Sequence, residues 1–425
     1  MGRRSLAALL VVALVATACV SRQVAPIGAG GQPFKPEADE RALWVKAEKE
    51  EKTLLERSKT YDDPLLDDYL ARVGDKLVPA EVREAGGPAF QFGVMRDPTL
   101  NAFAMPNGRV YVHTGLLSRL DNEAQLATIL GHEMTHVTHR HALSFQRDAR
   151  NKQVAYTVIG VVASIGVAAA AGSRAGAGDY IGAAVLSQTA GAILGVGLQL
   201  AAIAAINGYG RDLERDADAG GMEALVRAGY DPKEAPKVFA LLQQQSKDRG
   251  SLEAFFFGSH PKLQERIETT EELLRTRYAV AAASPDTVKD TDEFRLRMRP
   301  IVRENALLDI RAGRFDLAQQ QLDRVLEVTP KDALAHLYYG DLYRLQAQRA
   351  PAAAKDEKSR LALARYETAA NLDPTLPDSY RQLGLLYYQL KDLEKARASF
   401  EKYLTLRPDA PDARRIKEYV VELSR

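Results

Sequence analysis

Gly131-His132-Glu133-Met134-Thr135-His136 is the stretch on which the reading of this 425-residue chain turns. Two histidines four residues apart, with a glutamate following the first, form the H-E-x-x-H pattern. On an α-helix such histidines lie nearly one above the other, so both imidazoles reach one metal ion while the glutamate projects toward a metal-bound water. The flanking sequence predicts that helix. Asn122, with Gln125 three residues on, is a capping-box-like start. Leu126, Leu130, Met134 and Val137 fall on one narrow stripe at 100° per residue, and His132 and His136 fall off it. A core side and a metal side are therefore expected on the same helix.

Zinc catalysis needs a third protein ligand and an open fourth position. Glu214-Arg215-Asp216-Ala217-Asp218 supplies a candidate in Glu214. Asp218, one turn on, is then placed to accept a hydrogen bond from the free ring nitrogen of His132 or His136 and fix its orientation. Without the histidines upstream, the same acidic run reads as a solvated helix face. His139 competes as a ligand, but in a continuous helix it lies about 10.5 Å along the axis from His132, beyond what bonds of about 2.0 Å can span. His141 falls near the apolar stripe and reads as structural, while His113 and His336 have no motif around them.

Outward from this centre, length alone predicts two or three domains. The 57 basic and 56 acidic residues nearly cancel, which leaves no basic field for nucleic acid. Arg3 and Arg4, the apolar run Leu6 to Val15 and the small residues before Cys19 have the layout of a signal peptide over 1–18, too short to span a bilayer. Cys19, the only cysteine, sits where bacterial lipoproteins are lipidated, although Ala16 replaces the usual leucine and leaves plain cleavage open. Residues 19–36 read as a Gly/Pro-rich tether, and helices are expected over Glu37 to Ser58 and Asp62 to Val78. Phe90 to Val94 and Asn101 to His113 read as strands, the second folded into a hairpin by Pro106-Asn107-Gly108. Between Val154 and Ile206 lie two Ala/Gly-rich apolar stretches, read as a buried or membrane-leaning helical hairpin, with a transmembrane hairpin as the alternative. Residues 282–297 read as a polar linker.

The remainder, 298–425, repeats. Pro374 and Pro408 are 34 residues apart and each closes a similar phrase, which is the tetratricopeptide period. Pro330 closes a third phrase 44 residues before Pro374, and the extra residues are expected to lengthen the helix turn around Arg349 to Lys358. Gly340 and Gly384 occupy matching positions where helices pack closely. Such repeats stack into a solenoid whose concave face binds peptides or proteins; a helical cap that only stabilises the preceding domain is the plainer alternative.

Together these residues resemble the M48 family of metallopeptidases, in the periplasmic branch that joins the protease to tetratricopeptide repeats. The resemblance extends through Asp62-Asp63-Pro64 with Tyr69-Leu70, Asn101-Ala102-Phe103-Ala104, Thr114-Gly115-Leu116-Leu117, the helix ending in Arg140-His141, Glu214 to Asp218, and Ser259-His260-Pro261 with Arg266-Ile267. It implies an α+β fold: a mainly helical gluzincin-type domain over 37–281 with a small β-sheet, followed by an all-α solenoid. It also implies one Zn2+ per chain bound by His132, His136 and Glu214, with Glu133 as general base. As further expectations, His260 donates to the oxyanion or fills the open coordination position at rest, and Asn101, Ala102, Phe103, Val110 and Tyr111 offer a strand edge to extended substrate. The resemblance alone implies envelope quality control, namely cleavage of misfolded or stalled proteins on the periplasmic side; Cys19 followed by Val20, rather than the Asp that favours inner-membrane retention in lipoproteins, points to an outer-membrane lipoprotein. Two other classes compete with that reading: a chaperone or assembly adaptor with latent protease activity, and an integral-membrane protease spanning the bilayer through 154–206.

Overall fold

The computed structural model describes residues 24–151, 211–247 and 263–424. The leader with Cys19, the apolar stretches over 154–206 and His260 lie outside the described residues. Two compact units divide the chain, one formed by Leu120–Thr291 with the residues before Leu117, the other by Leu117–Arg119 with Asp292–Arg425. Among the described residues no helix is long and apolar enough to cross a membrane.

Helices of ten or more residues are numbered in chain order. The first unit contains α1 (Ala38–Arg57), α2 (Pro64–Leu77), α3 (Glu123–Thr138), α4 (His141–Asn151), α5 (Arg211–Arg227), α6 (Glu234–Lys247) and α7 (Leu263–Thr276), with strands β1 (Gln91–Met95), β2 (Ala102–Ala104) and β3 (Arg109–His113). Helix α2 starts two residues after the expected Asp62: the Asp63 carboxylate accepts from the backbone N–H groups of Leu65 and Leu66, and Pro64 occupies the first turn. The predicted turn forms as well, with Gly108 at φ 91° closing the β2–β3 hairpin.

The sheet order is β1-β3-β2, with β1 parallel and β2 antiparallel to β3. This corrects part of the expected substrate edge. Val110 and Tyr111 lie on the central strand, where both neighbours use their backbone groups, so neither is on an edge. Ala102 and Phe103 do lie on an outer strand, and Asn101 precedes it, its carbonyl accepting from the His113 N–H at 2.9 Å.

The described part of the expected tether, from residue 24 onward, is not free chain. Ile27 is buried against Val82 and Ala85, with Phe34 packed on the same cluster. The Ile27 N–H donates to the Thr138 carbonyl and that of Phe34 to Ala85. Two apolar side chains thus pin a segment whose glycines suggested a linker. The expected linker 282–297 is likewise cut short. Val288 bridges to Tyr230 and Lys289 accepts from the Ala124 N–H, so this stretch packs at the start of α3.

The main stretch of the second unit opens with α8 (Asp292–Arg311), which continues through Pro300 because Phe294, Met298, Ile301 and Val302 are buried along it. Helices α9 (Phe315–Val328), α10 (Ala333–Arg349), α11 (Ala352–Leu372), α12 (Pro377–Gln389), α13 (Leu393–Leu406) and α14 (Ala413–Glu422) follow. They pack in sequence as α8 on α9, α10 on α11 and α12 on α13. Helices α10 and α11 run 17 and 21 residues against 13 and 14 for the last pair. The extra residues are therefore helix rather than a longer turn, a correction to the sequence expectation. At the predicted small-residue positions, a Cβ on Gly340 would meet the Tyr366 ring at 2.3 Å and one on Gly384 the Phe400 ring at 2.4 Å.

Candidate metal centre

Helix α3 is fixed at its N-terminus by buried polar groups. The Asn122 side chain accepts from the Gln125 N–H at 3.0 Å, but Gln125 Oε1 accepts from Asp121 rather than from the cap itself, at 2.8 Å. Glu234 Oε2 accepts from the amides of both Asn122 and Gln125 at 2.9 Å. Glu123 accepts from the hydroxyls of Tyr69, at 2.8 Å, Tyr230, at 2.6 Å, and Thr291. Two buried carboxylates at this end also suit the positive pole of the helix dipole.

Every residue of α3 from Glu123 to Thr138 is buried. The metal side is thus as buried as the core side, because α5 covers the histidine face. Glycines make that approach possible. A Cβ on Gly221 would lie 2.9 Å from the His132 backbone nitrogen, and one on Gly131 3.1 Å from the Gly221 carbonyl oxygen.

The close crossing brings Glu214 to the histidine pair. His132 Nε2 and His136 Nε2 are 3.1 Å apart, and the two Glu214 oxygens lie 3.5 Å from the former and 3.8 Å from the latter. Bonds of about 2.0–2.1 Å to a tetrahedral zinc place ligand atoms about 3.3 Å apart, so these separations are close to the edges of a zinc tetrahedron. All three side chains are buried, and their donor set of two imidazoles and one carboxylate fits zinc.

Supports extend outward on both sides. His132 Nδ1 lies 2.9 Å from Asp218 Oδ1, the partnership expected from the sequence, with His132 rather than His136 engaged. Arg266 lies behind Asp218, donating from Nε at 3.0 Å and from a terminal nitrogen at 2.6 Å, with its guanidinium 4.0 Å from the centre of the Phe239 ring. Burial and the Arg266 charge push the His132 pKa down, but Asp218 and Glu214 outweigh them and raise it to about 9. Burial alone would raise the Asp218 pKa; the Arg266 and His132 charges hold it below the usual carboxylate value. On the other side His136 Nδ1 faces His141 Nδ1 at 2.8 Å, and His141 Nε2 lies 2.9 Å from Asp216 Oδ2. Burial lowers the His141 pKa, which favours its neutral form. Glu133 is buried on the same helix, and its charge is felt at Arg266.

His132, His136 and Glu214 thus converge, Asp218 lies on His132, and Glu133 is buried on the same helix. Sequence reasoning quoted Arg266 only within a resemblance and left Asp216 without a role. The Gly220-Gly221 pair was the available signal for the helix crossing, since two glycines inside a helix cost stability unless close packing needs them. His113 and His336 have structural partners: His113 Nδ1 lies 2.7 Å from the Thr99 hydroxyl, and His336 Nε2 3.0 Å from the Pro330 carbonyl.

Comparison with known proteins agrees with this geometry. Residues 64–274 match the model for Peptidase family M48, and residues 303–357 and 350–420 match tetratricopeptide repeat models. A putative beta-barrel assembly-enhancing protease of Vibrio cholerae is 28% identical over 280 residues, covering 65% of this chain and 52% of the relative. The beta-barrel assembly-enhancing protease of Escherichia coli K12 is 27% identical over 301 residues, covering 71% of this chain and 55% of the relative. The mitochondrial metalloendopeptidase OMA1 of Arabidopsis thaliana is 26% identical over 219 residues, covering 51% of this chain and 39% of the relative. The chain thus spans about half the length of the bacterial relatives. With a zinc-fitting donor set inside the matched region, residues 64–274 of this chain belong to peptidase family M48, a zinc metallopeptidase family, and tetratricopeptide repeats follow them.

Proposed function

We propose that the chain is a zinc-dependent endopeptidase of the bacterial cell envelope that cleaves misfolded or stalled envelope proteins, its repeats binding substrate or an assembly partner. The convergence of His132, His136 and Glu214 within bonding range of one ion, with Glu133 buried on the same helix, carries this reading. A zinc held by His132, His136 and Glu214 would supply Lewis-acid chemistry, acidifying a water and offsetting negative charge on a scissile carbonyl. Glu133 accepts the proton of the attacking water and delivers it to the leaving amine. Asp218, clamped by Arg266, holds His132 in the tautomer that presents Nε2. Ala102 and Phe103 on β2 pair with extended substrate through backbone groups, a recognition mode that reads little sequence. His260 is assigned the oxyanion or the open coordination position at rest.

The bacterial relatives carry the name beta-barrel assembly-enhancing protease, which supports outer-membrane β-barrel proteins as the substrate class. Cys19, by its lipobox-like setting, is proposed as the lipid anchor and the outer membrane as its location. Glu133→Gln in the full chain tests the catalytic assignment. It is expected to keep its zinc and lose hydrolysis of unfolded casein by about 10²–10⁴-fold. Casein cleavage at the wild-type rate would reject Glu133 as the base.

A further inference from the structure

A second group of metal-binding side chains lies behind the first. His139, His141 and Asp216 offer one ligand atom each, all within 4.8 Å of one another. His139 Nδ1 and His141 Nε2 both point at Asp216 Oδ2, at 2.5 and 2.9 Å. In a continuous helix residues two apart face different directions. Arg140, between them, adopts φ 59° and turns the chain as α3 ends and α4 begins, and this left-handed residue lets both imidazoles face one carboxylate on α5. The Arg140 side chain itself points elsewhere, bound to Glu40 at 2.6 Å.

The cluster is reachable. His139 and Asp216 line a cavity of about 180 Å³ together with Glu81, Thr135, Glu223 and Arg277. Their side chains are 29% and 47% exposed, so a hydrated ion can approach and Asp216 can swing. The cations at the cavity are engaged: Arg277 with Glu223 at 2.8 Å, Arg227 with the Leu77 carbonyl at 2.9 Å. Glu81 adds a further negative charge to the lining.

We propose that His139, His141 and Asp216 form a second divalent-metal site, weaker than the first and antagonistic to it. Two imidazoles and a carboxylate select zinc, nickel or copper over magnesium or calcium. Bonds of about 2.0–2.1 Å require the ligand atoms to spread to about 3.3 Å, which the half-exposed Asp216 permits.

The antagonism follows from the ring protons and rests on the reading that His136 binds the first zinc through Nε2. Its Nδ1 then carries a proton and donates to His141 Nδ1, which leaves the His141 proton on Nε2, donated to Asp216. A metal at His141 Nε2 displaces that proton, and the neutral ring must take one on Nδ1. Two N–H groups then face each other between His136 and His141, and the hydrogen bond that orients the catalytic ligand is lost. Loss of such an outer partner costs about tenfold or more in metal affinity.

The test uses the full-length chain equilibrated with rising free zinc, with bound metal counted by elemental analysis. Wild type is expected to bind one tight and one weak zinc through these sites, and His139→Ala and Asp216→Asn each to lose only the weak one. Zinc release is then followed by isotope exchange: the tight ion is expected to leave about tenfold faster in wild type once the weak site fills, and to show no such acceleration in His139→Ala. Retention of the weak zinc in both variants, loss of the tight zinc in both, or an exchange rate independent of weak-site occupancy would overturn the proposal. A protein without any tight zinc would instead sink the catalytic reading on which the antagonism rests.

Discussion

Arg266 shows how much of the metal centre depends on residues that never touch the ion. Its guanidinium is buried and shares the Asp218 carboxylate with His132, so removing it leaves a buried anion with one partner. Arg266→Ala is therefore expected to lower zinc affinity by about 10- to 100-fold in competition with a chelator and to destabilise the fold by about 3–5 kcal/mol in denaturant. Unchanged zinc affinity would show that Asp218 orients His132 without help. The histidine pair itself was legible because helical spacing makes His132 and His136 neighbours whatever else the chain does. Arg266 was not, because it joins His132 across 134 residues and no local period relates them. His141 looked structural because the helical phase was carried past Thr138, where the helix ends; the left-handed turn at Arg140 instead brings it to His136 and Asp216.

At the scale of elements, the zinc helix is held by its first turn. Burial would raise the Glu234 pKa, but Lys237 and the amides of Asn122 and Gln125 outweigh it and bring it down to about 2. The folded pKa lies below the unfolded one, so this stabilisation is complete above about pH 4.5 and fades as pH falls toward 2. Acid unfolding of wild type is thus expected to steepen through that window, and Glu234→Gln to flatten it there by up to about 3 kcal/mol at the cost of lower stability at neutral pH. Parallel acid curves for the two proteins would contradict this role. The helix, its cap and the β2–β3 hairpin were readable from spacing and turn residues. The burial of both sides of α3 was not, since an apolar stripe describes one face and says nothing of what covers the other. The edge assignment failed at Val110 and Tyr111 because strand order is set by which segments pair, and the parallel partner β1 lies nearly twenty residues upstream of β3.

At the scale of the whole molecule, the repeat period and the M48 motifs placed two folded parts in the right order, while the boundary between them was misread. Polar composition over 282–297 suggested free chain, yet residues up to Thr291 pack at the start of α3 and helix begins at Asp292. Gly384, Phe400 and the apolar cluster around them belong to the second unit, and the zinc-fitting residues to the first. Gly384→Leu would drive a side chain into the Phe400 ring and separate α12 from α13. It is expected to lower the melting temperature of the repeat helices by circular dichroism while the tight zinc stays bound. Unaltered melting would mean that this close packing contributes nothing to the repeats.

The proposed chemistry depends on one metal ion at one place. Anomalous diffraction at the zinc edge from crystals of protein purified without chelators measures that directly. A single strong peak about 2 Å from His132 Nε2, His136 Nε2 and a Glu214 oxygen is the predicted result. A map without density there, or a zinc bound to both histidines with Glu214 turned away, would contradict it.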